Sequence, residues 1–399
     1  MQAYFDFGSG YPVDKRVIEE MVPYMTKHFG NASSIHAYGL EARKALETAR
    51  KRVAALIGAK NHEEVLFTSG ATESNNFALR GIALRNKSEG KNIVISNIEH
   101  LSVLNVCKYL EKNGFTITKI PVDNQGLLKI DELEKALKPE TILVSIQTAN
   151  PEIGTIQDIY EIGKICEQKD VYFHTDAVAA AGKIPIDVEK AKIDLLTLSS
   201  NDIYGPRGTG AIYIRTGTKI EPLIFGGGQE KGLRSGTEDI ASIVGFGKAA
   251  ELAIQEMDSY REHAKFLQNR LIDGLLSKVK YSYLNGSREK RIPTNVNIRF
   301  NYIEGEAIIL NLDMHGIYVS TGSACVSKTL EESHVLMALG VPREEMHGSL
   351  QFTIGKETTK EETDYAIEVI PKVINRLRAM SPLTPMDVYA EIQASESGN

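Results

Sequence analysis

Cysteine is scarce. Three in 399 residues is too few, and odd in number, for a disulfide framework. A basic excess is missing too: 46 Lys and Arg stand against 52 Asp and Glu, a net charge of −6, which disfavours nucleic acid as the main ligand. No apolar run approaches the ~20 residues that cross a bilayer. The opening string MQAYFDFGSGYPVDKR lacks the basic-then-apolar order of a secretory signal. No fixed-period repeat or low-complexity block stands out. What remains is ordinary globular composition, 42% hydrophobic and 25% charged. At ~150 residues per domain the length predicts two or three domains. Together these features predict a soluble, cytoplasmic protein with a large core and with neither nucleic acid nor membrane as partner.

Apolar spacing predicts a helix over 40–57, stopped by Gly58. Short apolar strands are predicted at 65–68, 92–96, 115–120, 141–146, 171–175, 195–199 and 210–215, with helices at 73–84, 101–112, 130–137 and 159–168 between several of them. That alternation predicts an α/β fold, a mostly parallel sheet with helices on both faces. The rhythm changes near residue 250. A charge-rich helix over 250–278, strands at 294–300, 316–320 and 349–354, and an amphipathic helix over 360–378 predict a smaller α+β domain. The polar tail after Met380 is expected to fray.

Ligands of open α/β sheets bind beyond the carboxyl ends of the strands. Three such ends carry polar residues here. Ser69-Gly70-Ala71-Thr72 precedes a helix whose free N–H groups favour a phosphate, although an N-capped helix accounts for the string equally well. His174-Thr175-Asp176 ends a strand, where Asp176 is either a site residue or a turn residue. Ser199-Ser200-Asn201-Asp202 leads to Tyr204-Gly205-Pro206-Arg207-Gly208, a loop that holds an anion or simply turns. Cys107 and Cys166 fall on amphipathic helices and read as small core residues. Cys325, in the small-residue string Ser320-Thr321-Gly322-Ser323-Ala324-Cys325, reads either as structural or as an exposed reactive thiol.

Taken together the strings resemble the cysteine desulfurases of the NifS/IscS type, within the class-V aminotransferase group of fold-type I pyridoxal-phosphate proteins. The resemblance runs to about residue 380 and rests on GNASSIH (30–36), FTSGATESNN (67–76), NIEH ending at His100, ANPEIG (149–154) and HTDAVAAAGK (174–183). It continues through DIYGPRGTGA (202–211), GGGQEKGLRSGTE (226–238) and STGSAC (320–325). It implies a seven-stranded α/β domain over 15–255, a small α+β domain from 1–14 and 256–380 that carries the Cys325 loop, and a tail over 381–399. It also implies site residues. Ala71 and Thr72 would hold the cofactor phosphate, with Ser199 joining. His100 would stack on the pyridine ring, Asp176 would pair with its nitrogen, and Asn150 would lie near its hydroxyl. Thr237 would reach the phosphate of a partner subunit, implying a homodimer. Cys325 would take the sulfur of L-cysteine as a persulfide and pass it to an IscU-type iron–sulfur scaffold.

The departures cluster around the cofactor. The family's His-Lys before Ile-Tyr-Gly-Pro is here Asn201-Asp202, and a carboxylate cannot form the imine that the lysine forms. Replacing +1 by −1 near a dianionic phosphate costs roughly several kcal/mol at an effective dielectric of ~20. The family's glutamine after Asp-Ala-x is Ala179, and its substrate-carboxylate arginine is Gln351. Loss of that clamp costs roughly 1.5–3 kcal/mol. The N-terminal Asn-Ala-Ala-Thr-Thr string appears as Phe7-Gly8-Ser9-Gly10-Tyr11. These changes predict an iron–sulfur assembly protein whose own pyridoxal-phosphate chemistry is lost or weak. Its Cys325 would accept sulfur from another donor or ligate a 2Fe–2S cluster shared with the scaffold. The alternatives are a working desulfurase that forms L-alanine, and an unrelated enzyme using Asp202 with His100 as an acid–base pair.

Overall fold

The computed structural model describes residues 1–322 and 332–390. From the N-terminus come strand β1 (Ala3–Tyr4), helices α1 (Lys15–Thr26) and α2 (Ala37–Leu56), and strand β2 (Val65–Thr68). Then follow α3 (Ala71–Arg85), β3 (Asn92–Ser96), α4 (Leu101–Lys112), β4 (Thr116–Ile120), α5 (Ile130–Ala136), β5 (Thr141–Ser145) and α6 (Ile159–Gln168). Strands β6 (Tyr172–Asp176), β7 (Leu195–Ser199) and β8 (Gly210–Ile214) complete a seven-stranded sheet of order β2-β8-β7-β6-β5-β3-β4. Its pairs are parallel except those of β8, which runs antiparallel to both β7 and β2. This is the mostly parallel α/β sheet expected from the sequence.

Strands β2, β3, β5 and β8 are buried along their whole length. Helices cover both faces, so the strands carry no polar alternation. Successive side chains still point to opposite sides. Val94, Val144 and Leu196 join one core with Val53 of α2 and Ile162 of α6. Ile93, Ile95, Leu143 and Leu195 join the other with Phe77 and Ile82 of α3 and Val103 and Leu110 of α4.

Helix α7 (Ile240–Lys278) begins ten residues before its expected start. Gly245 and Gly247 read as breakers in the sequence, yet they are contact points. A Cβ at Gly247 would lie 2.6 Å from the Cα of Ala49 on α2, and one at Gly245 would lie 2.5 Å from the Met21 sulfur on α1. The close crossing of α7 over α1 and α2 offsets the poor helix propensity of glycine.

Beyond α7 lie β9 (Ser282–Leu284), β10 (Asn295–Phe300), α8 (Gly305–Asp313), β11 (Ile317–Tyr318), α9 (His334–Ala338), α10 (Arg343–Met346), β12 (Ser349–Thr353) and α11 (Lys360–Met380). Strands β12-β10-β9 form an antiparallel sheet, and β1 pairs with β11. Leu271 of α7, Ile298, Phe300, Phe352 and Ile370 share one core there with Phe5 from the N-terminal segment. Residues 381–390 depart from the fraying expected of the tail. Over residues 381–390, Ser381 Oγ donates to Tyr302 O at 2.7 Å, Thr384 Oγ1 donates to Arg378 O at 2.8 Å, and Val388 is 2% exposed. Val388 and the bonds made by the Ser381 and Thr384 hydroxyls hold a stretch that is polar by composition. Among the described residues no helix is long and apolar enough to cross a membrane.

Candidate active site

Since β8 is antiparallel to both neighbours, β2 runs parallel to β7, and the carboxyl ends of β2, β3, β5, β6 and β7 share one edge of the sheet. Each strand delivers a segment singled out in the sequence. A cavity of about 520 Å³ opens at this edge, lined by Ala71, His100, Asn150, Asp176, Ala179, Lys183 and Asp202. The small sheet contributes Asn295, Gln351 and Thr353, and the N-terminal segment contributes Gly8, Ser9 and Tyr11.

Asp176 ends β6 and is 8% exposed. Its Oδ2 accepts from Asn75 Nδ2 at 2.7 Å and its Oδ1 from the Val178 N–H at 3.0 Å. Asn75 Nδ2 also reaches Ser102 Oγ at 2.8 Å, and that hydroxyl lies 2.8 Å from His100 Nδ1. His100 is the N-cap of α4, its Nδ1 accepting the Ser102 N–H at 3.2 Å, which assigns the neutral ring's hydrogen to Nε2. One chain of bonds therefore joins Asp176 to His100. Asn75 and Ser102 carry it, and the sequence reading singled out neither, although Asn75 lies within the string FTSGATESNN.

Asn150 serves the backbone first. Its Oδ1 accepts from the N–H groups of Glu152 and Ile153, both at 2.9 Å, and its Nδ2 donates to Ile98 O at 3.0 Å. One amide hydrogen is left for a ligand. Thr72 is exposed in the first turn of α3 and does not line the cavity. Gly70 before it has φ 146°, and nothing lies within 4 Å of a Cβ added there, so the helix N-terminus opens to free space. Ser199 ends β7 and bonds to Asp202. Thr237 is exposed in the segment before α7, outside the cavity. Arg234, three residues earlier, ties that segment to α3 through Glu73 at 2.8 Å. Cys325, with its expected sulfur and cluster roles, lies outside the described residues. Among the described residues no group of three or more His, Cys, Asp or Glu could hold a metal ion.

Among the described residues the cavity wall holds four acidic side chains, Glu99, Glu152, Asp176 and Asp202, against one lysine, Lys183. Burial pushes the Asp202 carboxyl upward, and the nearby Lys183 ammonium and the Ser199 bond oppose it. Lys183 is 5% exposed, and its Nζ lies 5.2 Å from the centre of the Tyr11 ring. Two further carboxyls escaped the sequence reading. Burial raises Glu99 to about 8; its Oε1 accepts from Ser96 Oγ at 2.5 Å and from the Gln147 N–H at 3.1 Å. Burial likewise raises Glu152 to about 7, its Oε1 accepting from Ser333 Oγ at 2.6 Å. Both lie inside strings already noted, NIEH and ANPEIG, but burial cannot be read from a lone glutamate.

The residues fit pyridoxal phosphate in part. The first-turn N–H groups of α3 have no intrahelical partner and face open space, as a phosphate requires. Asp176 is a buried, well-oriented carboxylate for a pyridinium nitrogen. The aldehyde end does not fit, because Asp202 offers a carboxylate where an imine needs an amine. Gln351 turns its Nε2 to Pro151 O at 2.7 Å, so one of its two amide hydrogens is engaged, and it carries no charge for a substrate carboxylate.

The class-V aminotransferase family model matches residues 3–365. Cysteine desulfurase IscS 1 of Archaeoglobus fulgidus is 54% identical over 380 residues, covering 95% of this chain and 99% of that protein. Cysteine desulfurase IscS of Methanosarcina thermophila is 51% identical over 384 residues, covering 96% and 95%. A solved structure described as a NifS-like protein superposes with a TM-score of 0.89 at 38% identity, covering 94% of this chain and all of that one. A sheet whose strand ends gather His100, Asn150 and Asp176 at one cavity, in a chain this similar along its length, belongs to the class-V aminotransferase family, among the cysteine desulfurases of the IscS/NifS type.

Proposed function

We propose that this chain mobilises the sulfur of L-cysteine for iron–sulfur cluster assembly, with pyridoxal phosphate in the cavity and Cys325 as the sulfur carrier. The carbon–sulfur bond of L-cysteine breaks, L-alanine leaves, and the sulfur remains on Cys325 as a persulfide for an IscU-type scaffold. The observation that carries this reading is the convergence of Ala71, His100, Asn150 and Asp176 on one cavity. Identity of about half to proteins named cysteine desulfurase, over nearly the whole chain, supports it. When bound, the cofactor would supply an electron sink that weakens bonds at the substrate α-carbon. Ala71 and Thr72 at the start of α3, with Ser199, would hold its phosphate, Asp176 its ring nitrogen and Asn150 its hydroxyl. His100, kept in one tautomer through Ser102, would cover the ring and carry protons at Nε2. Thr237 would complete the phosphate site of a second subunit in a homodimer.

Asp202 favours a second reading, in which the chain's own cofactor chemistry is weak or lost. Cys325 would then accept sulfur from another donor, or ligate a 2Fe–2S cluster held jointly with the scaffold. Alanine formation from L-cysteine, with excess pyridoxal phosphate, separates the two. Alanine released at a rate that falls to background in Cys325→Ser supports the first reading. No alanine, with sulfur or cluster retention by the scaffold complex still dependent on Cys325, supports the second. Retention unchanged in Cys325→Ser would refute the sulfur role in both.

A further inference from the structure

We infer that the cavity takes its pyridine phosphate in the amine form, pyridoxamine phosphate, in preference to the aldehyde form, with the Asp202 carboxylate as partner of the ligand's ammonium. The inference rests on the reading of the cavity as a pyridine-phosphate site and agrees with the second reading above, since the amine form has no carbonyl to condense with the amino group of L-cysteine.

Three observations lead to it. Asp202 lies on the cavity wall three residues beyond the end of β7, at the same sheet edge as Asp176. Lys183 is the sole lysine or arginine among the described residues that line the cavity, so four acidic side chains, Glu99, Glu152, Asp176 and Asp202, face one full cation. That cation lies over the Tyr11 phenol, its Nζ 5.2 Å from the ring centre, and its charge offsets Asp202 only in part. Asp176 would be neutralised by a ring N–H⁺ and the phosphate by the α3 N-terminus. Glu99 and Glu152 are engaged by Ser96 and Ser333, which leaves Asp202 as the acidic side chain to meet the ligand's ammonium.

The two cofactor forms differ at a single exocyclic group. The aldehyde presents an oxygen, which a carboxylate repels, and its carbon finds no amine at position 202 with which to condense. The aminomethyl group presents a protonated nitrogen, to which Asp202 can accept a charge-assisted hydrogen bond. The ammonium also returns the charge balance that burial of Asp202 disturbs. No covalent step is needed, since the amine form binds as it stands.

The test is calorimetric titration of the full-length protein with pyridoxamine phosphate and, separately, with pyridoxal phosphate, for the unaltered chain and for D202N and D202K. The unaltered chain should bind the amine form at least about tenfold more tightly. D202N, nearly the same shape without the charge, should lose the preference. D202K should reverse it, and borohydride should then fix pyridoxal phosphate covalently to the introduced side chain. Equal or tighter binding of the aldehyde form by the unaltered chain would overturn the inference. So would failure of that chain to bind the amine form while D202K binds pyridoxal phosphate, or a borohydride-fixed adduct on Lys183. If neither form binds the unaltered chain, D202N or D202K, and circular dichroism shows all three folded, the pyridine-phosphate reading itself falls with the inference.

Discussion

Arg50 of α2 and Glu230 of the glycine-rich segment before α7 form the most enclosed ion pair among the described residues, at 5% and 7% exposure. The pair is bidentate, Nη1 to Oε2 at 2.7 Å and Nη2 to Oε1 at 2.8 Å. Each partner also bonds the edge strand of the large sheet: Nη1 donates to Val65 O at 2.6 Å, and Oε2 accepts the Phe67 N–H at 2.9 Å. At this separation and an effective dielectric of ~20, the Coulomb term is a few kcal/mol, comparable to the desolvation it offsets. Removing Arg50 should therefore cost about 3–5 kcal/mol, because Glu230 is left as an uncompensated buried charge, whereas removing Glu230 leaves Arg50 its outer partner Glu47 at 3.1 Å and should cost less. The strain adds to this, for Glu230 and Lys231 hold φ at 46° and 60°, a region that side chains rarely adopt. We expect Arg50→Met to lower stability by about 3–5 kcal/mol and Glu230→Met by less, and the double variant to cost at least about 1 kcal/mol less than the sum. Urea unfolding followed by circular dichroism, compared at equal m, measures all four corners of the cycle. Single losses under about 1 kcal/mol, or strict additivity, would refute the view that this pair pins the glycine-rich segment to the sheet edge.

Two further outcomes follow from buried groups. His174 is kept neutral by burial, its pKa lowered to about 3, with Nδ1 2.8 Å from Ser145 Oγ and Nε2 3.1 Å from Thr197 Oγ1. The unfolded chain takes up a proton at this residue below pH ~6.5, so stability should fall as pH drops from 6.5 towards 3, by up to about 1.4 kcal/mol per unit. His174→Gln should flatten that limb of a melting-temperature profile, and an unchanged limb would exclude the residue as its source. Gly163 on α6 lies under Ala191, whose carbonyl oxygen would stand 1.8 Å from an added Cβ. Gly163→Ala should therefore destabilise by about 1–3 kcal/mol in thermal unfolding, despite alanine's better helix propensity; a more stable variant would show that α6 slides freely on the sheet.

The sheet was legible because its signal is local. Runs such as NIVIS over 92–96 and LLTLS over 195–199 lie between helical patterns, and β3 and β7 match them to the residue. Helix α1 was missed altogether: Pro23 sits inside it and its buried face is short, only Val17 and Met21. The start of α7 was misplaced because a glycine in contact and a glycine in a turn look alike until the neighbouring helix is known. At the site, resemblance named the groups that would touch the ligand, and the structure gathers Ala71, His100, Asn150, Asp176 and Asp202 at one cavity. It did not name Asn75, Ser102, Glu99 or Glu152. These act through burial and through bonds to residues far along the chain, properties that no spacing encodes.

The first residues of the chain have to wait for the last strands to be made. Ala3 pairs with Ile317, the Phe5 N–H donates to Tyr318 O, and Phe5 O accepts from Thr353, 348 residues away in sequence. At ribosomal speeds of about 5–20 residues per second, Phe5 stays without its native neighbours for roughly 20 to 70 s after it is synthesised. The large sheet, complete at Ile214, has every strand in hand well before then. Folding during synthesis thus has a set order: the sheet edge that bears the cavity can form early, and the small core closes only when the N-terminal segment is captured by β11 and β12. A fusion placed at the N-terminus would burden that late step and leave the early one untouched.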